Sequence, residues 1–203
     1  MRSDDGPAMV DMVYALDATS LPAVHAGALA DAIGACLPWL AGEPTASIHP
    51  LRTAPTVGGD VLLARRARLV IRVPEARLPD AHALEGRVLD VAGRRLVVGA
   101  GTPRSLAASP TLYAARVASE AVDDAAFDGE IGAWLAGLAV RCEHIAGRSR
   151  RFATGTRDLT VRGLAIHGLV ADDSVELQQR GCGPHGLLGC GILVPHKAIA
   201  VAA

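Results

Sequence analysis

Residues 181–191 read Gly181-Cys182-Gly183-Pro184-His185-Gly186-Leu187-Leu188-Gly189-Cys190-Gly191, and Ile192-Leu193-Val194 follow directly. Five glycines in eleven residues, between a polar helix-prone stretch and an apolar run, mark a loop rather than an element. Glycine permits positive φ and close backbone approach, and successive N–H groups in such a loop can form an anion-binding nest. The loop therefore separates a last helix from a last strand, and that order sets the reading of the chain upstream.

Working back from the loop, Asp172 or Asp173 is expected to cap a short helix running through Gln179. Residues 151–169 read as one or two strands. Residues 123–140 read as a helix, with Asp123 and Asp124 as N-cap candidates and Phe127, Ile131, Trp134, Leu135 and Leu138 along one face. Residues 110–118 read as a strand. The first half has the same order. A strand is expected over 8–16 and a helix over 22–37, with Pro22 in its first turn and Pro38 ending it. A strand over 45–52, a turn at Val57-Gly58-Gly59-Asp60 and a long strand over 61–73 follow. A short helix at 79–84 and a strand or hairpin over 87–98, turning at Gly93-Arg94, complete the half. Both halves read β-α-β-β-α-β. This predicts an α+β chain of two tandem ferredoxin-like, RRM-like domains. The boundary falls near residues 100–110, giving 1–105 and 106–203, the second carrying the loop 181–191.

The 203 residues are 50% hydrophobic and 20% charged, which excludes a disordered chain. Aromatics are only 3%, so the core must be built from Ala, Leu and Val. A net charge of −1 excludes a generally basic nucleic-acid coat, but the charge is uneven. Residues 1–50 carry Arg2 against six acids, whereas 141–162 carry six arginines against Glu143 and Asp158. No apolar run reaches the roughly 18 residues that span a bilayer, and no apolar stretch follows the N-terminus as in a signal peptide. A cytoplasmic location, no membrane partner, and cysteines held as free thiols are expected.

Several residues could carry chemistry. His25 is read one turn into the first helix, on the ladder of Leu29 and Ile33. There it is either a half-buried core residue or a general acid/base at a helix N-terminus that favours anions. His49, in Ile48-His49-Pro50-Leu51-Arg52, ends a strand beside an arginine and is the reserve candidate. Arg65-Arg66-Ala67-Arg68 and Gly147-Arg148-Ser149-Arg150-Arg151 are basic runs. Each is either a solvated face or a grip on a phosphate backbone. Neither run has aromatics interleaved, which argues against base stacking. Cys182, His185, Cys190 and His196 admit a zinc reading, against free thiols with one facing the core.

Two ferredoxin-like halves, a histidine in the first helix and a glycine-rich loop before the final strand resemble the CRISPR repeat-processing endoribonucleases. These are RAMP-superfamily proteins, and the variant of myxobacterial and cyanobacterial type I systems is the nearest in appearance. The stretches that carry the resemblance are Leu21-Pro22-Ala23-Val24-His25, Ser47 through Arg52, Thr111-Leu112-Tyr113-Ala114-Ala115-Arg116, Asp173 through Gln178, and Gly181 through Pro195. The loop departs from the usual basic pattern, because its middle, Pro184-His185-Gly186-Leu187, has no arginine.

The resemblance implies an endoribonuclease that needs no metal or other cofactor. A histidine assists attack of a ribose 2′-hydroxyl on the adjacent phosphate, which leaves a 2′,3′-cyclic phosphate. His25 falls on the catalytic helix position. The expected RNA contacts are Arg52, Arg65, Arg66, Arg148, Arg150, Arg151, Gly183, His185, Gly189 and Lys197, with Arg52 or the Gly183 and Gly189 N–H groups at the phosphate. The implied partners are the repeat hairpin of precursor CRISPR RNA and other subunits of a Cascade-like effector complex. Two other readings stay open: a subunit that holds the hairpin without efficient turnover, and a small metal- or ligand-binding protein outside RNA biology.

Overall fold

Val10, Met12 and Tyr14 alternate with Asp11 and Val13 along the first strand, which puts the three apolar side chains on one face, in the core, and buried Asp11 on the other. In the computed structural model, which describes residues 7–55, 59–64 and 66–197, the chain divides into two compact units. The first runs to Ser105 and takes in Ala153–Asp158 and Gly186–Gly189; the second holds Leu106–Phe152, Leu159–His185 and the chain from Cys190. Each unit is dominated by an antiparallel sheet. The chain is thus α+β with two sheet-based subdomains, consistent with a tandem ferredoxin-like arrangement.

The first unit begins with β1 (Met9–Asp17), β2 (Ser20–Pro22), α1 (Ala26–Cys36), β3 (Ser47–Ile48), β4 (Thr53–Pro55), β5 (Asp60–Leu63) and β6 (Arg68–Pro74). It continues with the short helix α2 (Leu78–Ala81), β7 (Val88–Val91) and β8 (Arg94–Ser105). The main sheet has the order β3-β6-β1-β8-β7, and β2-β5-β4 form a separate small sheet. Leu29 and Ile33 of α1 pack with Val10, Met12, Tyr14, Leu69, Ile71 and Val73 in one core. Full burial of each such aliphatic side chain stabilises by about 1.5–3 kcal/mol. Tyr14 crosses this core and its hydroxyl donates to the Ala81 carbonyl at 2.8 Å, so the buried phenol is satisfied. Gly101 makes room for it: a Cβ there would lie 2.8 Å from the Tyr14 ring.

Several expected elements shift. The residues read as one strand over 61–73 form two, β5 and β6, which pair in different sheets. The helix expected from residue 22 starts four residues later, because Leu21 and Pro22 pair with β5 instead. The strand over 45–52 shortens to Ser47–Ile48. The 87–98 hairpin forms, turning at Ala92 and Gly93, both at positive φ. Of the turn at 57–60, residues 57 and 58 lie outside the described residues.

The second unit contains β9 (Thr111–Ala118), α3 (Asp124–Gly137), β10 (Glu143–Ala146), β11 (Arg150–Ala153), β12 (Asp158–His167), α4 (Ala171–Arg180) and β13 (Val194–Pro195). Its sheet runs β10-β12-β9-β13, and β11 also pairs with β12. Phe127, Ile131 and Leu135, four residues apart along α3, enter a core with Leu112, Ala114, Leu164 and Ile166. Asp123 caps α3 as expected, accepting from the Ala126 N–H at 2.8 Å. Buried Arg162 donates to Asp124 at 3.1 Å and stacks over Phe127, fixing the first turn of the helix. The cap expected at Asp172 or Asp173 falls instead on Val170, which makes no side-chain cap bond; both acids lie in the first turn, where the helix dipole favours them. Among the described residues no helix is long and apolar enough to cross a membrane.

Candidate functional site

His25 sits at the N-cap of α1 rather than one turn inside it. Its carbonyl accepts the Leu29 N–H at 2.8 Å and closes the first helical turn. Its ring Nδ1 lies 2.8 Å from the Pro22 carbonyl oxygen. A carbonyl can only accept, so Nδ1 carries the proton and Nε2 of the neutral ring holds the lone pair. The half-buried imidazole is therefore oriented and tautomerically fixed, with the basic nitrogen turned away from its backbone anchor. Two residues on, the Gly27 N–H donates to the Thr154 carbonyl at 2.9 Å. Thr154 is fully buried, its hydroxyl donates to the Arg157 carbonyl at 2.8 Å, and the Thr154 N–H reaches the same carbonyl at 3.0 Å. The tight turn 154–157 is thus fastened to the start of the histidine helix.

His49 has a different environment. Its side chain is 12% exposed, and Nε2 lies 3.5 Å from Asp11 Oδ1, the outer limit of a hydrogen bond. Asp11 faces Arg72 on one neighbouring strand and Arg104 on the other, directly across both ladders. Arg72 Nε donates to Oδ1 at 2.8 Å and Arg104 to Oδ2 at 3.1 Å. Burial pushes the His49 pKa down, and the pull of Asp11 does not offset it. Burial would raise the Asp11 carboxyl, but the hydrogen bonds and charge of Arg72, with His49 at the edge of hydrogen-bond range, hold it well below the usual carboxylate range. His49 is a neutral imbedded imidazole bracing an ion pair, whereas His25 is anchored at one nitrogen and open at the other.

The remaining expected RNA contacts distribute over both units. In the first, Arg52 and Arg66 are exposed; Arg65 lies outside the described residues. In the second, Arg148, Arg150, Arg151 and Lys197 are exposed, and Arg150 donates to the Ala115 carbonyl. The glycine loop is a closed structure rather than a slack one. Cys182 N–H donates to the Gly191 carbonyl at 2.8 Å, and Gly191 N–H donates to Arg116 of β9 at 2.6 Å. A Cβ on Gly191 would lie 2.2 Å from the Cys182 carbonyl oxygen, and its φ is +70°, so only glycine fits. Gly189 is buried and its N–H is given to the Gly186 carbonyl at 3.0 Å, which leaves it nothing to offer a phosphate. Gly183 is exposed, and none of the bonds that close the loop uses its N–H. His185 is half-buried at φ +70°, a conformation uncommon outside glycine.

Gly183, Pro184 and His185 also wall a cavity of about 390 Å³ within the second unit, opposite Phe127, Ile131 and Trp134. Glu120 and Glu130 line it too, which gives it the wrong sign for phosphate. The zinc alternative finds no support: among the described residues no three His, Cys, Asp or Glu side chains gather as a metal would need. Burial raises both loop thiols, Cys182 to about 12, so neither is a ready thiolate.

The sequence model of one family, described as Cas6 Crispr, matches residues 10–198. The chain belongs to the Cas6 family. A CRISPR-associated endonuclease Cas6 from Myxococcus xanthus (strain DK1622) is 29% identical over 187 residues, covering 92% of this chain and 81% of that one. A solved CRISPR-associated protein Cas6 superposes with a TM-score of 0.65 at 12% identity, covering 93% of this chain and all of the other. The product of a Cas6-related gene from Pyrococcus furiosus superposes with a TM-score of 0.61 at 11% identity, covering 96% of this chain and all of that one. At such identities the likeness to these Cas6 structures concerns the fold.

One residue was missed from the sequence. Arg116 of β9 stacks on Phe152 of β11, 4.1 Å from guanidinium carbon to ring centre. Phe152 follows the basic run directly, so an aromatic does stand beside these arginines. Only the pairing of both strands with β12 brings the two residues together.

Proposed function

We propose that this Cas6-family chain matures CRISPR RNA. It binds the repeat hairpin of the precursor and cleaves it by attack of a ribose 2′-hydroxyl on the adjacent phosphate, without a metal. It then stays on the product as a subunit of an effector complex. The observation that carries the reading is the His25 imidazole, held at Nδ1 by the Pro22 carbonyl with Nε2 left as a base. The name of the Myxococcus xanthus relative, an endonuclease, supports the reaction class, and the two sheet units support tandem ferredoxin-like domains.

In this reaction His25 Nε2 takes the proton of the attacking hydroxyl or, once protonated, gives one to the leaving 5′-oxygen. Arg52 is the group proposed for the charge that builds on the phosphate, and Arg66, Arg148, Arg150, Arg151 and Lys197 for the phosphate backbone. The test is incubation of repeat RNA with the protein in EDTA. The reading expects a single cut that leaves a 2′,3′-cyclic phosphate and none on RNA bearing a 2′-deoxy nucleotide at the cut. A stable protein–RNA complex with no cut would restrict the function to hairpin binding.

A further inference from the structure

Three arginines lie with much of their side chain inside the protein, and two of them have a carboxylate. Arg72 pairs with Asp11 and Arg162 with Asp124. Arg116 has none among the described residues. Its guanidinium rests on the Phe152 ring, and the titratable groups that act on it are the Cys190 thiol and another cation, Arg150. Burial and Arg150 both press against its charge. Phe152 contributes a face, not an acceptor, so the fork of N–H donors at the tip is left without an anion. Arg150 spends one donor on the Ala115 carbonyl, which directs it toward the strand that carries Arg116. The Arg116 carbonyl, meanwhile, anchors the glycine loop through the Gly191 N–H. Arg116 and Arg150 are thus both fixed at β9, one against Phe152 and the other on the carbonyl of the preceding residue, beside the anchor of the glycine loop.

A half-buried cation beside a like charge costs stability unless something compensates it. The Phe152 face offsets part of that cost, but among the described residues no carboxylate does. We propose that Arg116 and Arg150 form a seat for a phosphodiester of the bound RNA, with Phe152 holding the Arg116 fork flat. The seat rests on the RNA-binding reading above and adds to it a residue placed by the fold rather than by a charge run. Its contacts go to phosphate oxygens, so it grips without reading sequence.

The test measures repeat-RNA affinity across a salt series for the wild type, Arg116→Met, Arg116→Lys and Arg95→Met, an exposed arginine elsewhere in the chain. Arg116→Met is expected to weaken binding roughly tenfold at moderate salt. It should also flatten the log–log salt slope by about 0.7–0.9. Its thermal midpoint should stay level or rise, because the fold loses an uncompensated charge. Arg116→Lys should keep the slope and recover part of the affinity, since a point charge replaces the fork. An unchanged slope in Arg116→Met overturns the seat. So does an equal loss in Arg95→Met, which would show net charge alone at work. So does an unfolded Arg116→Met, because the charge would then serve the fold. A wild type that binds no repeat RNA would instead remove the functional reading, and the seat with it.

Discussion

The Gly27 N–H and the Thr154 carbonyl meet at 2.9 Å, so a turn from late in the chain occupies one of the four orphan donors at the start of the His25 helix. The approach leaves no room for a side chain: a Cβ on Gly27 would lie 2.5 Å from the Thr154 oxygen. Gly27→Ala is therefore expected to destabilise the protein by about 1–3 kcal/mol, despite alanine's better helix propensity. Urea unfolding checks this. An alanine variant as stable as the wild type would show that the turn is not seated on the helix.

Acid should unfold the protein in two stages, both through the Asp11 cluster. An unfolded histidine takes up a proton near pH 6.5, while His49 in the fold resists it, so the unfolded state gains as pH falls below about 6.5. Asp11 has the opposite residue type but the same sign. It stays ionised in the fold after an unfolded aspartate has been protonated near pH 3.9, so stability is lost as pH drops through and below about 4. His49→Gln should remove the first stage and Asp11→Asn the second. Asp11→Asn should also cost about 3–5 kcal/mol at neutral pH by taking the carboxylate charge from buried Arg72. Unfolding curves at pH 8, 5.5 and 3.5 would contradict this if His49→Gln kept the wild-type slope between the first two.

Thiol reactivity should separate the cysteines by burial. Cys182 and Cys190 are buried and burial raises both thiols; Cys36 and Cys142 are partly accessible, though burial and Asp173 raise the Cys142 thiol as well. At pH 8 a charged thiol reagent should label Cys36 first and Cys142 more slowly in the folded protein, and reach the loop pair only on unfolding. Fast labelling of Cys182 in the native state would show that the glycine loop opens.

How much of this was legible in the sequence depends on how local each feature is. The first strand, α3 and its Asp123 cap follow from alternation, helical spacing and a short-range cap bond, and all three appear as read. The start of α1 was misplaced because Pro22 suits a first helical turn as well as the end of a strand. Its pairing with Asp60, far along the chain, decided the matter. β10, four residues with exposed and half-buried positions alternating, has too little apolar signal to be seen without its partner β12. The site divides the same way. His25 was visible as a histidine at a helix start, but its tautomer depends on a backbone carbonyl three residues earlier, placed there by β2. His49 stood in reserve as an available histidine, since its burial against Asp11 and Arg72 arises from three strands. Arg116 was hidden because its meaning lies in what it lacks, a carboxylate, and that is a property of the fold.

Proton transfer by His25 is tested most directly by single-turnover cleavage of a repeat RNA with His25→Ala. A lost general acid/base should slow cleavage by roughly 10²–10⁴-fold with hairpin affinity nearly intact. His49→Gln, compared at a pH where it is fully folded, should cut close to the wild-type rate. Normal cleavage by His25→Ala would contradict the account, and loss of cleavage in His49→Gln alone would move the base to the residue buried against Asp11.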